Sequence, residues 1–277
     1  MTLTVFILDY QRFTNIVRFI LPKLLHTPFI SQIILCHGSY EYEWEQDPRF
    51  PRLEENEVQI VEWEGKQIIR IQDPLNEHYQ CYRRWIWIER LHKNGLLKNE
   101  ILLTHDDDYM FYEGEIATMM SLWNQQKGLC ICGSGGRNYS APIKYRLRAA
   151  NGPCNIAVGQ SMLLSVSSIL DACKQAEDMK IPPEILFEDD IVISLLVGKG
   201  KFVHYGVSAR KKTLPSPNAR WQRINHIQLR NKTADWILTR LADASLATNY
   251  PPHLHSQPTI DDTPPTSETT VPQSLTP

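Results

Sequence analysis

Three carboxylates stand side by side at Asp106-Asp107-Asp108, two residues after the apolar run 101–103. Adjacent like charges repel one another, and the repulsion is costly unless the group is solvated or holds a cation. Carboxylate oxygens are the ligands that hard cations such as Mg²⁺ and Mn²⁺ select. A cation held there can bridge two phosphate groups and take up charge as a diphosphate leaves. The alternative is a ligand-free acidic turn, which the position at a strand end disfavours.

A second acidic group, Glu188-Asp189-Asp190, precedes an apolar run that has the spacing of a helix. Acids at the start of a helix also suit its dipole, so simple capping is the alternative interpretation. Two acidic groups at element boundaries indicate a division of roles, in which one holds a cation and the other acts on the substrate. His204, at the end of a late strand, is either a further metal ligand or a packed histidine.

Polar and basic residues also follow two other predicted strands. The segment Asp9-Tyr10-Gln11-Arg12 comes after the first strand, and it can hold a base and a phosphate with Arg12 as the charge partner. Asn76 follows the third strand and faces the same edge of the sheet. Arg83 and Arg84 come one turn later, where they either meet a phosphate or lie on a solvated helix face.

Strand-like and helix-like segments alternate along the chain. In the first part, strands are predicted at 5–8, 32–36, 67–71 and 100–104, and helices at 13–25 and 79–93. Such alternation is typical of a parallel sheet covered by helices on both faces, and ligands bind at the carboxyl ends of its strands. Helices at 116–126, 169–180 and 191–197 and strands at 130–132, 162–166 and 201–205 follow. We therefore predict an α/β, Rossmann-like fold with a mixed, mainly parallel sheet flanked by helices.

The chain shows no linker between these two parts, so we predict one domain, 1–247, with halves 1–113 and 114–247. Seven of the 18 prolines lie in 251–277, among Ser, Thr, Gln and His. Such a segment has too little apolar mass to offset the entropy lost on ordering. The stretch 248–277 is therefore predicted to be a disordered tail.

Composition excludes some classes of partner. With 29 basic and 31 acidic residues the net charge is −2, so no large positive field is available to attract nucleic acid. The start of the chain lacks the basic region and apolar length of a signal peptide, and no segment is long enough to span a bilayer. We expect a cytoplasmic protein with no membrane span, for which contact with a membrane surface through a partner stays open. The six cysteines lack zinc-site spacing, so reduced thiols are expected.

The order of these motifs resembles that of glycosyltransferases with the GT-A fold. Asp9-Tyr10-Gln11-Arg12 is similar to the Thr-Tyr-Asn-Arg segment that opens many of these enzymes, and Asp106-Asp107-Asp108 to their Asp-x-Asp (DXD) motif. Over residues 3–205 the likeness is closest to the exostosin-like family 64, where a strand ends in Leu-Asp-Asp-Asp and a helix opens with Asp-Asp-Ile. A Leu-Asn-Asn-Arg-Phe loop of that family matches 75–79, with Glu77 and His78 in place of Asn and Arg.

Residues 188–200 also resemble the Glu-Asp helix of family 2 transferases, although the Gln-x-x-Arg-Trp motif of that family is replaced by Asn218-Ala219-Arg220-Trp221. Family 64 retains the configuration of the anomeric carbon and family 2 inverts it. The resemblance therefore implies a retaining reaction under the first likeness and an inverting one under the second.

The resemblance implies a metal-dependent glycosyltransferase of the hexosyltransferase class. It would move a sugar from a nucleotide diphosphate sugar, first of all a uridine one, to a glycan or another hydroxyl acceptor. The first half would bind the nucleotide and the second the acceptor, with Mn²⁺ or Mg²⁺ held by Asp106 and Asp108 and with Asp189 and Asp190 flanking the anomeric carbon. The donor-binding residues implied are Asp9, Tyr10, Arg12, Asn76, Arg83, Asp106 and Asp107.

Two other classes of protein are also compatible with a cluster of acidic residues at the end of a strand. One is a metal-dependent phosphohydrolase, although Asp9 lacks the second Asp two residues on that such enzymes usually have. The other is a non-catalytic module that binds a nucleotide or a glycan.

Overall fold

A computed structural model describes residues 2–38, 50–74, 76–110, 112–139, 152–158, 160–201, 203–207, 212–215 and 225–249. The first half of the chain alternates strands with helices. Its strands are β1 (Leu3–Asp9), β2 (Ile30–His37), β3 (Val58–Trp63), β4 (Lys66–Gln72), β5 (Ile101–Asp106) and β6 (Tyr109–Met110). Its helices are α1 (residues 13–26, with a π-helical turn at Ile16–Ile20), α2 (Asn76–Tyr79) and α3 (Arg83–Lys93), the last preceded by a 3₁₀ turn at Gln80–Tyr82.

The second half has shorter strands and longer helices. Its strands are β7 (Cys132–Gly133), β8 (Gly136–Arg137), β9 (Gly152–Cys154), β10 (Ile156–Ala157), β11 (Ser161–Ser165), β12 (His204–Gly206) and β13 (Lys212–Thr213). Its helices are α4 (Glu113–Gln125), α5 (Val166–Asp178), α6 (Pro183–Leu186), α7 (Asp189–Gly198) and α8 (His226–Asn249).

One mixed sheet joins the two halves, with strand order β3-β4-β2-β1-β5-β11-β7-β12-β9. The run β4-β2-β1-β5 is parallel, whereas β3 and β11 pair antiparallel with the strands at its two ends. The parallel strands are almost wholly buried and, apart from β4, mainly apolar, as expected of strands covered on both faces. The expected mixed α/β, Rossmann-like fold with flanking helices is confirmed.

Two apolar cores lie on opposite faces of the sheet, and strand alternation assigns side chains to them. In β1, Phe6 and Leu8 pack into a core with α3, α5, α7 and α8. The intervening Val5 and Ile7 pack into a second core with α1 and α4. Because the strand period is two, the same four strands hold helices on both faces and leave their carboxyl ends at a common edge.

Several elements were not predicted from the sequence, among them the edge strand β3 and the long helix α8. The edge strand β3 has side chains that alternate between exposed and half-buried, which is the pattern of a strand with one open face. Helix α8 ends at Asn249, close to the predicted boundary at 247. The rest of the predicted tail, from 250 onward, lies outside the described residues, and the division into domains stays a prediction.

Within the described ranges, the structure contains no helix with the length and apolar character needed to cross a bilayer. All six cysteines are free thiols, as the reduced state requires.

Candidate active site

The carboxyl ends of β1 and β5 bring two predicted motifs together. These strands are neighbours, and Leu8 pairs with Asp106 in their parallel register. The loop after β1 and the acidic turn after β5 therefore meet at the same edge of the sheet. This is where ligands bind in open α/β folds.

His105 fixes the shape of the acidic turn. The side chain is fully buried, and its Nδ1 lies 2.7 Å from Ser161 Oγ while its Nε2 lies 2.8 Å from the carbonyl oxygen of Tyr109. Burial lowers the pKa of His105 to about 4, so the ring is neutral near pH 7. A neutral ring with its proton on Nε2 donates to Tyr109 and accepts from Ser161. The ring thus ties the strand before the acids to the residue after them.

Asp107 points into the protein. Its Oδ2 accepts from the backbone N–H of Tyr10 at 2.9 Å, and its Oδ1 accepts from Arg12 Nη1 at 2.6 Å. Burial raises the pKa of Asp107 to about 7, and Arg12 opposes the rise. Asp107 therefore joins the acidic turn to the loop after β1, and its predicted contact with a nucleotide stays a prediction.

Asp106 and Asp108 lie on the more open side of the turn. Their side chains are 30% and 16% exposed, whereas that of Asp107 is 5% exposed. Burial raises the pKa of Asp106 to about 8, Asp108 and Asp107 add to the rise, and Arg84 opposes it. A positive charge placed beside this pair would relieve the same repulsion.

Segment 212–215 lies over the acidic turn. Strand β13 pairs with β6, and the backbone N–H of Leu214 donates to the carbonyl of Asp108 at 2.7 Å. Asn15 Nδ2 donates both to the carbonyl of Asp107, at 3.2 Å, and to that of Pro215, at 2.9 Å. The backbone of the turn is therefore held from two sides, which limits how far its carboxylates can move.

Arg84 joins the acidic turn to the second acidic group. Its Nη2 lies 3.3 Å from Asp106 Oδ1, and its Nε lies 3.0 Å from Asp189 Oδ2. Trp85 Nε1 donates to the same Asp189 oxygen at 3.0 Å. Burial would lower the pKa of Arg84, but Asp189 and Asp106 raise it, so the guanidinium stays charged. Two acids that are 83 positions apart in sequence thus share one buried cation.

Asp190 is held by a different arginine. Arg230, on α8, places Nη2 2.7 Å from Asp190 Oδ2 and Nη1 3.0 Å from Glu188 Oε2. Asp190 also accepts the backbone N–H of Ile191 through Oδ1, at 2.9 Å. All four charged groups of this region, the acids Glu188, Asp189 and Asp190 and the cation Arg230, are buried.

Asp9 and Arg83 belong to a third charged group, at the ends of β1, β2 and β4. Asp9 Oδ2 lies 2.9 Å from His37 Nδ1, and its Oδ1 accepts the backbone N–H of Arg12 at 3.1 Å. Arg83 lies 3.3 Å from Asp73 and donates to the carbonyl of Asp9 at 3.1 Å. Burial lowers the pKa of His37, although Asp9 opposes the change. Both predicted donor-binding residues are buried and engaged within the protein.

The remaining candidates are placed as follows. Tyr10 has an exposed side chain beside the acidic turn. Asn76 begins α2, but its side chain lies outside the described part, so its donor contact stays a prediction. His204 packs inside, with Nε2 2.7 Å from the carbonyl of Ser194 and Nδ1 accepting the N–H of Ile131 at 3.0 Å. Burial lowers its pKa to about 4, and the packed interpretation of this histidine is the correct one.

Metal ligation by protein side chains is limited. Across the ranges that the structure describes, no group of three or more His, Cys, Asp or Glu side chains is arranged to hold an ion. Two partly exposed carboxylates suit a hard cation that takes its other ligands from water and from a phosphate-bearing substrate.

Three features of the site were not predicted from the sequence. They are the contacts of Arg84 with Asp106 and Asp189, the ion pairs of Arg230, and the hydrogen bonds of Asn15. The position of Arg84 at the start of a helix that follows a strand could have been used to predict that it contacts acids at this edge of the sheet. The sequence contains no such signal for Arg230, because its partners Asp190 and Glu188 lie 40 and 42 positions earlier in the chain.

Comparisons with known proteins give a likeness of fold. No protein-family model matches this chain, and no curated protein matches its sequence. The solved structure of S. aureus TarS 1-349 matches with a TM-score of 0.50 and 10% identity, covering 90% of this chain and 73% of that one. The same fragment in complex with UDP matches equally well. A CMP:2-keto-3-deoxy-manno-octonic acid synthetase complexed with CTP matches with a TM-score of 0.43 and 12% identity, covering 85% of this chain and 100% of that one.

Proposed function

We propose that this chain is a metal-dependent glycosyltransferase that moves a sugar from a nucleotide diphosphate sugar, of the uridine type, to a hydroxyl acceptor such as a glycan. The observation that carries the proposal is the meeting of two acidic groups at one edge of the sheet. Arg84 contacts Asp106 and Asp189 at 3.3 and 3.0 Å. Two acidic groups this close can act on both sides of the bond that breaks. One can act at the leaving diphosphate and the other at the anomeric carbon of the sugar.

The acidic turn supplies the donor end. Asp106 and Asp108 are its two more exposed carboxylates, and they would hold Mn²⁺ or Mg²⁺. When bound, such an ion neutralises the charge that develops on a leaving diphosphate. Asp107 keeps these carboxylates in place, because it ties the turn to Arg12 and to the backbone of Tyr10.

The loop after β1 supports a nucleotide at the same edge. Tyr10 presents an exposed ring there, and Arg12 lies 2.6 Å from Asp107 and 3.9 Å from Asp108. The likeness of fold extends to a TarS fragment that has been solved with UDP, which supports a UDP-sugar as the first donor to test. We assign the nucleotide to the half 1–113 and the acceptor to the half 114–247.

Asp189 is the acid that we place at the anomeric carbon. It shares Arg84 with Asp106, whereas Asp190 faces Arg230 on α8. A carboxylate in this position either takes the proton of the acceptor hydroxyl or stabilises positive charge on the sugar ring. The anomeric configuration of the product distinguishes the two, because the first route inverts it and the second retains it.

Asp9 disfavours the phosphohydrolase alternative. A nucleophilic carboxylate needs an oxygen that can reach the phosphorus atom. The two oxygens of Asp9 instead contact His37 and the backbone of Arg12, and the residue is buried.

The test is a panel of nucleotide sugars assayed for Mn²⁺-dependent release of nucleoside diphosphate, with and without candidate acceptors. We expect release from one UDP-sugar, loss of release with EDTA, and a rise in melting temperature with UDP plus Mn²⁺ but not with simple phosphomonoesters. Equal stabilisation by phosphomonoesters would favour a phosphohydrolase. UDP binding without turnover of any sugar donor would identify a binding module.

A further inference from the structure

Arg84 occupies an unusual position for a buried cation. The residue is 4% exposed, yet one of the two carboxylates it contacts, Asp106, lies on the open side of the turn. Its third nitrogen, Nη1, has no hydrogen-bond partner among the described residues. A buried guanidinium with an unused donor is costly, because that donor has lost its water without gaining an acceptor.

Arg84 contacts two carboxylates with different geometry, and its Nε also donates to the carbonyl oxygen of Cys81 at 3.4 Å. The contact from Nε to Asp189 is 3.0 Å long, and Trp85 holds the same oxygen at 3.0 Å. The contact from Nη2 to Asp106 is longer, at 3.3 Å, and reaches a side chain that is 30% exposed. The Asp189 end is therefore the anchored one, and the Asp106 end is the one that a ligand can replace.

We propose that Arg84 is a positioning residue that couples the donor diphosphate to Asp189, and this inference rests on the proposed function. When a cation and a diphosphate occupy the acidic turn, the cation takes over Asp106. The freed side of the guanidinium then turns to the diphosphate oxygens, while Nε keeps its contact with Asp189. The guanidinium that contacts Asp189 then also contacts the diphosphate, so binding of a complete diphosphate changes the charge and the hydrogen bonding around Asp189.

The coupling predicts a difference between two nucleotides that share a base and a ribose. UDP has the second phosphate and UMP lacks it. Since a charged hydrogen bond contributes about 1.5–3 kcal/mol, Arg84→Gln should weaken UDP binding by at least about tenfold. UMP binding should change less than about twofold. Both affinities are measured by calorimetry in Mn²⁺.

Arg90→Gln is the matched control. Arg90 lies on the same helix, stacked 4.9 Å over the ring of Trp87 and away from the acidic turn. It should leave the binding of both nucleotides unchanged. Arg84→Lys keeps the charge but loses the planar fork, so it should restore only part of the UDP affinity.

A second measurement reports on Asp189 itself. The indole N–H of Trp85, assigned with Trp85→Phe, should shift in ¹⁵N NMR spectra when UDP and Mn²⁺ bind to the wild-type protein. The shift should be absent with UMP and absent in Arg84→Gln. If Arg84 only stabilised the fold, the Trp85 indole signal would not depend on the second phosphate of the nucleotide.

Three results would overturn the proposal: equal losses for UDP and UMP, no loss for UDP, or a Trp85 signal that responds equally to both nucleotides. If Arg84→Gln does not fold, the double variant Arg84→Gln/Asp189→Asn removes both charges and allows the same comparison of affinities. Failure of the wild-type protein to bind UDP would count against the proposed function itself and is seen before any variant is made.

Discussion

The acidic turn Asp106-Asp107-Asp108 and the helix start Glu188-Asp189-Asp190 each carry three acids in a row, but the protein treats them differently. At the helix start all three are buried, and arginines from α3 and α8 lie against them. In the turn one acid is buried against Arg12, and the other two lie partly open. Arginines of the chain contact both regions, but only the turn keeps two carboxylates partly open, and these are the ones to which we assign the proposed cation.

Removing the buried cation Arg230 should have the largest effect on stability. Arg230→Met leaves Glu188 and Asp190 buried beside each other without their shared cation, and we expect a loss of about 3–5 kcal/mol in the free energy of unfolding. Urea denaturation measures it. The control is Arg240→Met, an exposed position on the same helix, which should cost less than about 1 kcal/mol. A loss below 1 kcal/mol for Arg230→Met would mean that the helix start does not depend on this pairing.

Removing an acid from the turn should affect activity instead of stability. For Asp108→Asn we expect Mn²⁺-dependent turnover to fall by about 100-fold to 1,000-fold, equivalent to about 2.7–4 kcal/mol of transition-state stabilisation. The free energy of unfolding should stay the same or rise, because one repelling charge is gone. Asp178→Asn, at the exposed end of α5, is the control. Full turnover in Asp108→Asn would remove this residue from the metal site.

The two regions share one feature: each is held by a buried neutral histidine, and protonation of that histidine should loosen it. His105 holds the turn and His204 holds α7, and burial lowers the pKa of each to about 4. The unfolded chain takes up these protons near pH 6.5 and the folded protein only near pH 4. Between those values the unfolded state binds more protons at these two histidines, so their contribution to stability falls as the pH is lowered.

The expected slope is about 1.4 kcal/mol per pH unit for each histidine. His105→Gln and His204→Gln should each reduce the pH dependence of urea denaturation between pH 6.5 and pH 4 by that amount. If one variant leaves the slope unchanged, the corresponding region is not held by a neutral ring.

The smallest effect is expected for Tyr10→Ala. The turn is held by the backbone N–H of Tyr10, which this change keeps, so stability should move by less than about 0.5 kcal/mol. Loss of the exposed ring should weaken UDP binding by about fivefold, equivalent to about 1 kcal/mol, if the base stacks on it. Calorimetry measures the affinity. A large loss of stability would show that the side chain itself supports the turn.

The sequence predicted well those features that depend on local pattern. The strand before Asp106 and the helix after Asp190 follow from apolar runs and their lengths, and the meeting of the loops after β1 and β5 follows from parallel pairing. Adjacent side chains point in different directions, so a turn that exposes Asp106 and Asp108 buries Asp107. That division was open to prediction but was not made, and the nucleotide contact assigned to Asp107 stays a prediction.

Other features depend on distant parts of the chain and could not be predicted. The pairing of Asp189 with Arg84 and of Asp190 with Arg230 is set by how α3, α7 and α8 pack on one core. A single sequence shows charged residues at these positions but not which of them meet. For the same reason the sequence did not show that Arg83 is buried against Asp73, and its donor contact stays a prediction.

The position of Arg230 has a consequence for the order in which the protein can be made. During synthesis, Glu188 and Asp190 leave the ribosome well before Arg230, which is 40 positions beyond Asp190. The strands that form the nucleotide-side edge all lie before residue 107 and can pair before then. Before α8 is synthesised, Glu188 and Asp190 have no cation to pair with, and burying them would cost free energy. We therefore expect the second half to stay unfolded while the first half is already folded. We also expect the last described helix to complete the folding of the region beside the proposed donor site.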